Sequence, residues 1–151
     1  MTAAGVDARN QAVVLRFLAE LDAGNAEIPN ELFSPDALWY MPANSSEPMS
    51  REASVGLLRA FFAGFPRWRH EIQDVVASGD RVVVRLVDSS THEGSFQGIP
   101  ATRAHVQFGV ISIFRIVEGK IVEIREEADR LGFFGQIGME LRPKVAPLAD
   151  R

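Results

Sequence analysis

The spacing of hydrophobic residues changes once along the chain, close to Pro66. Before this point, apolar residues recur three or four positions apart, which is the spacing of one helix face. A first helix over residues 6–25, ended by Gly24, is predicted from the stripe Val14, Phe17, Leu18 and Leu21. A second helix is predicted between Ser50 and Gly64, with an apolar face made of Leu57, Leu58, Phe61, Phe62 and Phe65.

The segment between the two helices is rich in turn-forming residues. Residues 29–37 (PNELFSPDA) predict a short turn-rich element, residues 38–42 (LWYMP) a short strand, and residues 43–50 (ANSSEPMS) a loop. The pattern therefore predicts only one short strand in this region.

After Pro66, hydrophobic and polar residues alternate, as they do on the two faces of a strand. This alternation predicts four strands, over about residues 67–77, 81–92, 103–117 and 120–128. Turn signals separate neighbouring strands at Ser78-Gly79-Asp80 and Glu118-Gly119. Asp129 then occupies the position of a helix N-cap, before RLGFFGQIG at residues 130–138.

Helices followed by a long antiparallel sheet indicate the α+β fold class. Strands of this length must curl, and a curved sheet that is capped by helices forms a cone with an internal pocket. We therefore expect one domain over residues 1–138, built on a helix-capped, strongly curved antiparallel or mixed sheet. Residues 139–151 contain Pro143 and Pro147 and are predicted to form a loose C-terminal tail.

Even-numbered residues form the more apolar side of each predicted strand near its middle. In the first strand these are Trp68, His70, Ile72, Asp74 and Val76, and in the last Val122, Ile124, Glu126 and Ala128. Because apolar faces pack against the helices, we expect these sides to meet in one interior. The polar side chains expected there are Glu126, Ser112, Asp88, His92 and His70.

The turn at Glu118-Gly119 bears on this arrangement. A two-residue loop would place even residues opposite odd ones and break the agreement between the last two strands. We therefore expect a three-residue loop with Gly119 in the left-handed conformation, which places Ser112 opposite or diagonal to Glu126.

Glu126 is the most unusual polar residue on this face. An apolar environment disfavours an ionised carboxylate unless it is hydrogen-bonded, paired or protonated. Burial should raise the pKa of Glu126 towards about 6 to 7, the range that suits a general acid or base. An apolar pocket with a few convergent polar groups is also the usual form of a small-molecule site.

Composition and charge narrow the classes of function. The chain has 151 residues, a net charge of -4 and no cysteine, so nucleic acid, anionic membranes and thiolate metal sites are not expected. It has no secretory signal pattern and no long apolar run, so we expect a cytoplasmic protein. Odd-numbered strand residues are also partly apolar, which predicts a homodimer through the outer sheet face at Val83, Val87, Ile111, Ile113 and Val117.

Residues 94–138 (GSFQGIPATRAHVQFGVISIFRIVEGKIVEIREEADRLGFFGQIG) resemble the C-terminal half of SnoaL-like polyketide cyclases. The family pattern there is G-x-F-x-G-I-P-P-T-G, then I-x-I-F-R-I-x-D-G-K-I, then D-x-x-G-L-L-x-Q-L-G. The helical half is similar too, so the resemblance covers residues 7–138. It implies the cone of the nuclear-transport-factor-2-like superfamily, a fold that hosts many functions.

The resemblance places the acid/base carboxylate of the cyclases on Glu126 and one of their histidines on His92. The chain has Ser112 where the cyclases have a histidine in the preceding strand, which departs from their aldol machinery. Some relatives close pyran rings by opening an epoxide, and a glutamate and a histidine at these two positions would suit that reaction.

Two related enzyme classes fit less well. Ketosteroid isomerases resemble this chain near residues 41–48, but their base and two oxyanion donors fall on Met41, Phe17 and Ser112. Limonene-type epoxide hydrolases match at Asp88 and Glu126, while their bridging arginine falls on Leu86. A carboxylate pair is retained here without its cation.

We therefore expect a cofactor-free enzyme of secondary metabolism, such as antibiotic biosynthesis, that closes a ring in an apolar, polyketide-like molecule. Glu126 would transfer the proton, and His92 and Asp88 would polarise or orient the substrate oxygen. The alternatives are an epoxide-opening cyclase or epoxide hydrolase, and a non-catalytic binding domain. No metal is expected, since no ligand motif is present. Substrate contacts are expected from Ser112, Tyr40, Trp39, Phe17, Trp68, His70 and Phe108.

Overall fold

A computed structural model describes residues 2–145 of the chain. Its elements, in order, are α1 (Ala3–Asp22), α2 (Ile28–Leu32), β1 (Phe33–Tyr40), α3 (Arg51–Gly64), β2 (Arg69–Ser78), β3 (Arg81–Thr91), β4 (His105–Val117), β5 (Lys120–Ala128) and α4 (Arg130–Gln136). The predicted α+β class and the four long strands are confirmed. The predicted tail lies partly outside the described residues, and residues 139–145 form no helix or strand.

Side-chain caps fix where the three helices that frame the interior begin. Ser50 and Asp129 accept hydrogen bonds from backbone N–H groups three residues later, as the sequence predicted. The same geometry ties Thr2 to the start of α1. The Asp129 cap is closely packed, because a Cβ at Gly132 would lie 2.2 Å from the Asp129 carboxylate.

The prediction of a turn-rich element over residues 29–37 is wrong. This segment contains α2 and the first half of an eight-residue strand, β1, which begins at Phe33. Burial of Phe33 and Ala37 in the core outweighs the local turn tendency of the Ser-Pro-Asp sequence between them. Pro35 is tolerated because β1 is an edge strand.

The five strands form one open sheet in the order β1-β5-β4-β3-β2. β1 pairs with β5 in parallel, and the other neighbours are antiparallel, so the sheet is mixed. Helix α1 packs across β2 and β3, and the predicted stripe of Val14, Phe17, Leu18 and Leu21 is buried in the core.

The alternation of β2 breaks in its middle. The register shifts between Ile72 and Asp74, which is the signature of a bulge. Beyond the bulge, Val75 packs on the core, while Asp74 pairs with Arg85 and Val76 is 61% exposed. The prediction that Asp74 and Val76 face the interior is therefore wrong.

The β4–β5 connection also differs from the prediction. Val117 pairs with Lys120, so the loop has two residues rather than three, although Gly119 is left-handed as expected. The register is restored by a shift within β5, where Ile116 faces Ile121 but Arg115 faces Glu123. Ile121 is consequently buried, and the predicted opposition of Ser112 and Glu126 is confirmed.

The outer face of the sheet carries exposed apolar side chains, including Ile111, Ile113 and Val117 at 49%, 39% and 41% exposure. Among residues 2–145, no helix is both long and apolar enough to cross a membrane.

Candidate active site

A cavity of about 1000 Å³, counting the space that opens to solvent, lies between the inner sheet face and helices α1, α3 and α4. Its wall is mostly aromatic and aliphatic, and both tryptophans of the chain contribute to it. A mostly apolar wall with a few polar groups suits a small apolar ligand. The predicted contact residues that line it are Phe17, Trp39, Trp68, His70, Phe108 and Ser112.

Glu126 reaches this cavity from the C-terminal part of β5. The Ser112 hydroxyl donates a hydrogen bond of 3.1 Å to Glu126 Oε2 from the opposing residue of β4. Glu126 is half-buried as a residue and lines the cavity. Its carboxyl group therefore lies where a bound molecule would meet it.

The pKa of Glu126 is raised from 4.5 to about 7. Burial is the largest cause, and the nearby Asp88 charge adds to it. The Ser112 hydrogen bond, together with His70 and Arg130, opposes the increase only in part. Near neutral pH, Glu126 is consequently present in both protonated and ionised forms, as a group that accepts and returns a proton requires.

Asp88 supplies a second carboxyl group to the same cavity. It lies on the inner face of β3, is 6% exposed, and its Oδ1 atom has no hydrogen-bond partner among the described residues. Burial raises the pKa of Asp88 to about 6, against the opposing effects of His70 and a hydrogen bond with Trp68. The cavity thus holds two carboxyl groups that titrate close to neutrality.

His70 lies beside Asp88 on the neighbouring strand β2. Its Nε2 atom is 3.8 Å from Asp88 Oδ2, and its Nδ1 atom is 2.6 Å from Asp22 Oδ1. Burial lowers the pKa of His70, but the hydrogen bond with Asp22 and the charges of Asp88, Asp22 and Glu126 outweigh it, so the pKa is raised overall.

The structure does not bring His92 to the cavity wall. The β3 strand ends at Thr91, and the fully buried ring of His92 stacks on Phe65 with centroids 4.9 Å apart. Its Nδ1 atom accepts a hydrogen bond from the Thr102 backbone N–H, so the ring stabilises the loop that follows β3. The strand alternation placed His92 on the inner side, but His92 follows the last residue of β3 and its ring packs against Phe65 rather than lining the cavity.

Trp39 and Tyr40 point to opposite sides of β1. Trp39 lines the cavity, whereas the Tyr40 ring lies 3.9 Å from the Arg125 guanidinium and does not line it. The expected substrate contact of Tyr40 is therefore not supported by its position. Sequence reasoning also missed Asp22, Gln97 and Arg130, of which the last two line the cavity.

Comparison with known proteins assigns the chain to a family. The sequence profile of the SnoaL-like polyketide cyclases matches residues 12–137. A search of curated protein sequences finds no match to this chain.

Several solved structures have the same architecture. IdmH, a proposed polyketide cyclase from Streptomyces antibioticus, is 27% identical with a TM-score of 0.73, and the match covers 86% of this chain and 99% of IdmH. AclR, a proposed hydroxylase from Streptomyces galilaeus, is 25% identical with a TM-score of 0.79, covering 87% of this chain and 97% of AclR. TsrD from Streptomyces laurentii is 27% identical with a TM-score of 0.74, covering 87% and 96%. From the profile match over most of its length and this shared cone fold, the chain belongs to the SnoaL-like polyketide cyclase family.

Proposed function

We propose that the protein is a cofactor-free enzyme that closes a ring in an apolar, polyketide-like molecule by acid/base catalysis. The observation that carries the proposal is the position of Glu126, a carboxyl group with a pKa of about 7 in the wall of an apolar cavity. Family membership supports a cyclase or another polyketide-processing role.

In the proposed reaction, the Glu126 carboxylate removes a proton from a carbon next to a substrate carbonyl. The C–H electron pair forms an enolate, and the enolate carbon attacks a second carbonyl of the same molecule. The new alkoxide oxygen then takes up the proton that Glu126 removed, which regenerates the carboxylate. A base whose pKa lies near the working pH gives both useful basicity and a sufficient ionised fraction. The aromatic walls of the cavity contribute by holding the substrate in a folded shape, in which the enolate carbon lies close to the second carbonyl carbon.

The presence of a second carboxyl group favours one alternative, the opening of an epoxide. Glu126 and Asp88 titrate at about 7 and about 6, so one can be protonated while the other is ionised. The protonated group would donate to the epoxide oxygen as the carboxylate activates water or an internal hydroxyl. Oxygen-18 water distinguishes hydrolysis of the epoxide from closure of a ring by a group of the substrate itself, because the label enters the product only when water is the nucleophile.

Benzisoxazoles test the proposal before a natural substrate is known. A base removes the C3 proton of 5-nitrobenzisoxazole, the N–O bond breaks, and a coloured cyanophenolate forms. We expect Glu126→Gln to reduce this turnover by about a hundredfold or more, because the amide cannot accept the proton.

Glu127→Gln is the matched control for this experiment. Glu127 is the exposed neighbour of Glu126, and a glutamine there can still accept its hydrogen bond from the Ala43 backbone N–H. Binding is measured separately from the quenching of Trp39 and Trp68, the only tryptophans of the chain, which both line the cavity. Unchanged turnover in Glu126→Gln contradicts the proposal, and binding without turnover in the wild-type protein supports a non-catalytic binding domain instead.

A further inference from the structure

The last residue of helix α1 is an aspartate, which is an unfavourable choice for helix stability. Asp22 places a negative charge at the C-terminal end of the helix, where backbone carbonyl groups already concentrate negative charge. No basic residue in the last turn offsets this repulsion. An aspartate at this position therefore indicates that its carboxylate makes a compensating contact with another part of the fold.

That contact is with His70. Asp22 Oδ1 accepts a hydrogen bond of 3.0 Å from the His70 backbone N–H. The same oxygen lies 2.6 Å from His70 Nδ1, which is a second hydrogen bond. A carboxylate accepts and does not donate, so the proton of this bond belongs to Nδ1. The two bonds fix both the position of the ring and its tautomer.

The fixed ring presents its other nitrogen to the cavity. His70 Nε2 lies 3.8 Å from Asp88 Oδ2, which is too far for a direct hydrogen bond but close enough for attraction between charges. The His70 side chain is 7% exposed and lines the cavity, whereas Asp22 lies outside the cavity wall. A ligand oxygen next to Nε2 would therefore meet an N–H donor that no protein group engages strongly.

The charges around the ring favour its protonated form. Asp22 of α1, Asp88 of β3 and Glu126 of β5 all favour the imidazolium, and burial alone opposes it. Arg130 of α4 is the cation that lines the same cavity, and it acts on Glu126. A buried histidine among three carboxyl groups keeps its proton more readily than an isolated one.

We propose that His70 is the second proton-transfer group of this cavity and that Asp22 is its positioning residue. This inference rests on the proposed function. When Glu126 removes the proton from the substrate carbon, negative charge develops on a substrate oxygen. His70 donates its Nε2–H to that oxygen. The N–H electron pair stays on Nε2, the oxygen lone pair binds the proton, and Nδ1–H remains bonded to Asp22. The acid and the base then come from strands β2 and β5, which β3 and β4 separate in the sheet.

Nitrogen-15 NMR of labelled histidines tests the positioning claim in the full chain without a substrate. The chain has three histidines, so His70→Gln assigns the His70 signals against His92 and His105. In the wild-type protein, we expect neutral His70 to carry its proton on Nδ1. Asp22→Asn should move the His70 titration to lower pH, while Asp74→Asn, an exposed carboxylate of the same strand, should leave it in place. A wild-type Nε2–H tautomer, or a titration that Asp22→Asn does not move, would overturn the claim.

Two benzisoxazoles test the catalytic claim. Unsubstituted benzisoxazole releases a more basic cyanophenolate than its 5-nitro derivative, so its reaction depends more on a donor at the leaving oxygen. His70→Gln should therefore reduce kcat about tenfold or more with benzisoxazole, and clearly less with the nitro compound. A merely structural role for His70 would affect both compounds equally, and that result would overturn the proposal.

The two proposals fail in different ways. If Glu126→Gln abolishes turnover and His70→Gln leaves both compounds unaffected, the proposed function stands and the role of His70 is refuted. If the wild-type protein turns over neither compound, the proposed function is contradicted, the catalytic role of His70 falls with it, and the NMR titration still decides whether Asp22 positions the ring.

Discussion

Replacing Glu126 by glutamine should stabilise the protein, and the gain should depend on pH. The pKa of Glu126 is 4.5 in its ordinary state and about 7 in the folded protein, mainly because the group is buried. The folded state therefore binds this proton more tightly than the unfolded state. Stability from this group is fully present below pH 4.5 and is lost as pH rises through about 7.

The size of the effect follows from the same two values. A tenfold change in an ionisation constant is worth about 1.4 kcal/mol, so the rise from 4.5 to about 7 corresponds to about 3 kcal/mol. Glutamine stays neutral and keeps an oxygen that can accept the Ser112 hydrogen bond. Glu126→Gln should therefore be about 3 kcal/mol more stable than the wild type at about pH 8 and nearly equal to it below pH 4.5.

Urea denaturation at a series of pH values measures this difference directly. In a thermal melt the gain at about pH 8 should appear as an increase in Tm of roughly 6–12 °C, given the length of the chain. Glu127→Gln, which neutralises an exposed carboxylate, should show no comparable dependence on pH. A Glu126→Gln variant that is no more stable than the wild type at alkaline pH would refute the buried, proton-retaining carboxyl group on which the proposed function depends.

Two further predictions concern Ser112 and the outer face of the sheet. Ser112→Ala removes the hydrogen bond that lowers the pKa of Glu126, so the increase of benzisoxazole turnover with pH should move to higher pH. A profile that stays in place or moves to lower pH would contradict the assignment of that increase to Glu126. We also predict a homodimer through the outer sheet face, in which Ile111 is 49% exposed in the isolated chain. Sedimentation analysis should find the wild-type protein dimeric and Ile111→Lys monomeric, and a monomeric wild type would exclude this interface.

Much of the inner sheet face was predictable from the sequence, because alternation is a local property. Val82, Val84 and Leu86 of β3 and Val106 and Val110 of β4 are all buried, as their even positions predicted. These two strands pair without a break from Arg81 to Thr91, so the even-numbered residues stay on the inner face along the whole paired length. Long, regular strands are the case in which the pattern of hydrophobic residues is most informative.

Prediction was less successful where one residue interrupts a strand or where tertiary contacts decide. The bulge in β2 and the shift in β5 each add one residue, so the even and odd positions exchange faces beyond it. No residue type in either segment indicated the irregularity. The Asp22–His70 contact joins residues 48 positions apart, which periodicity cannot detect. The one available signal was the misplaced charge of Asp22 at a helix C-terminus.

The irregularity in β5 has a consequence for comparing this chain with its homologues. The two-residue loop at Glu118-Gly119 and the additional residue near Val122 compensate each other, so the strand leaves the irregularity with Ile124 and Glu126 facing inwards. A homologue with one more loop residue and an uninterrupted strand would reach the same orientation with the same number of residues. Alignments between such chains should therefore place no gap here, even though residues 117–123 would not superimpose one to one.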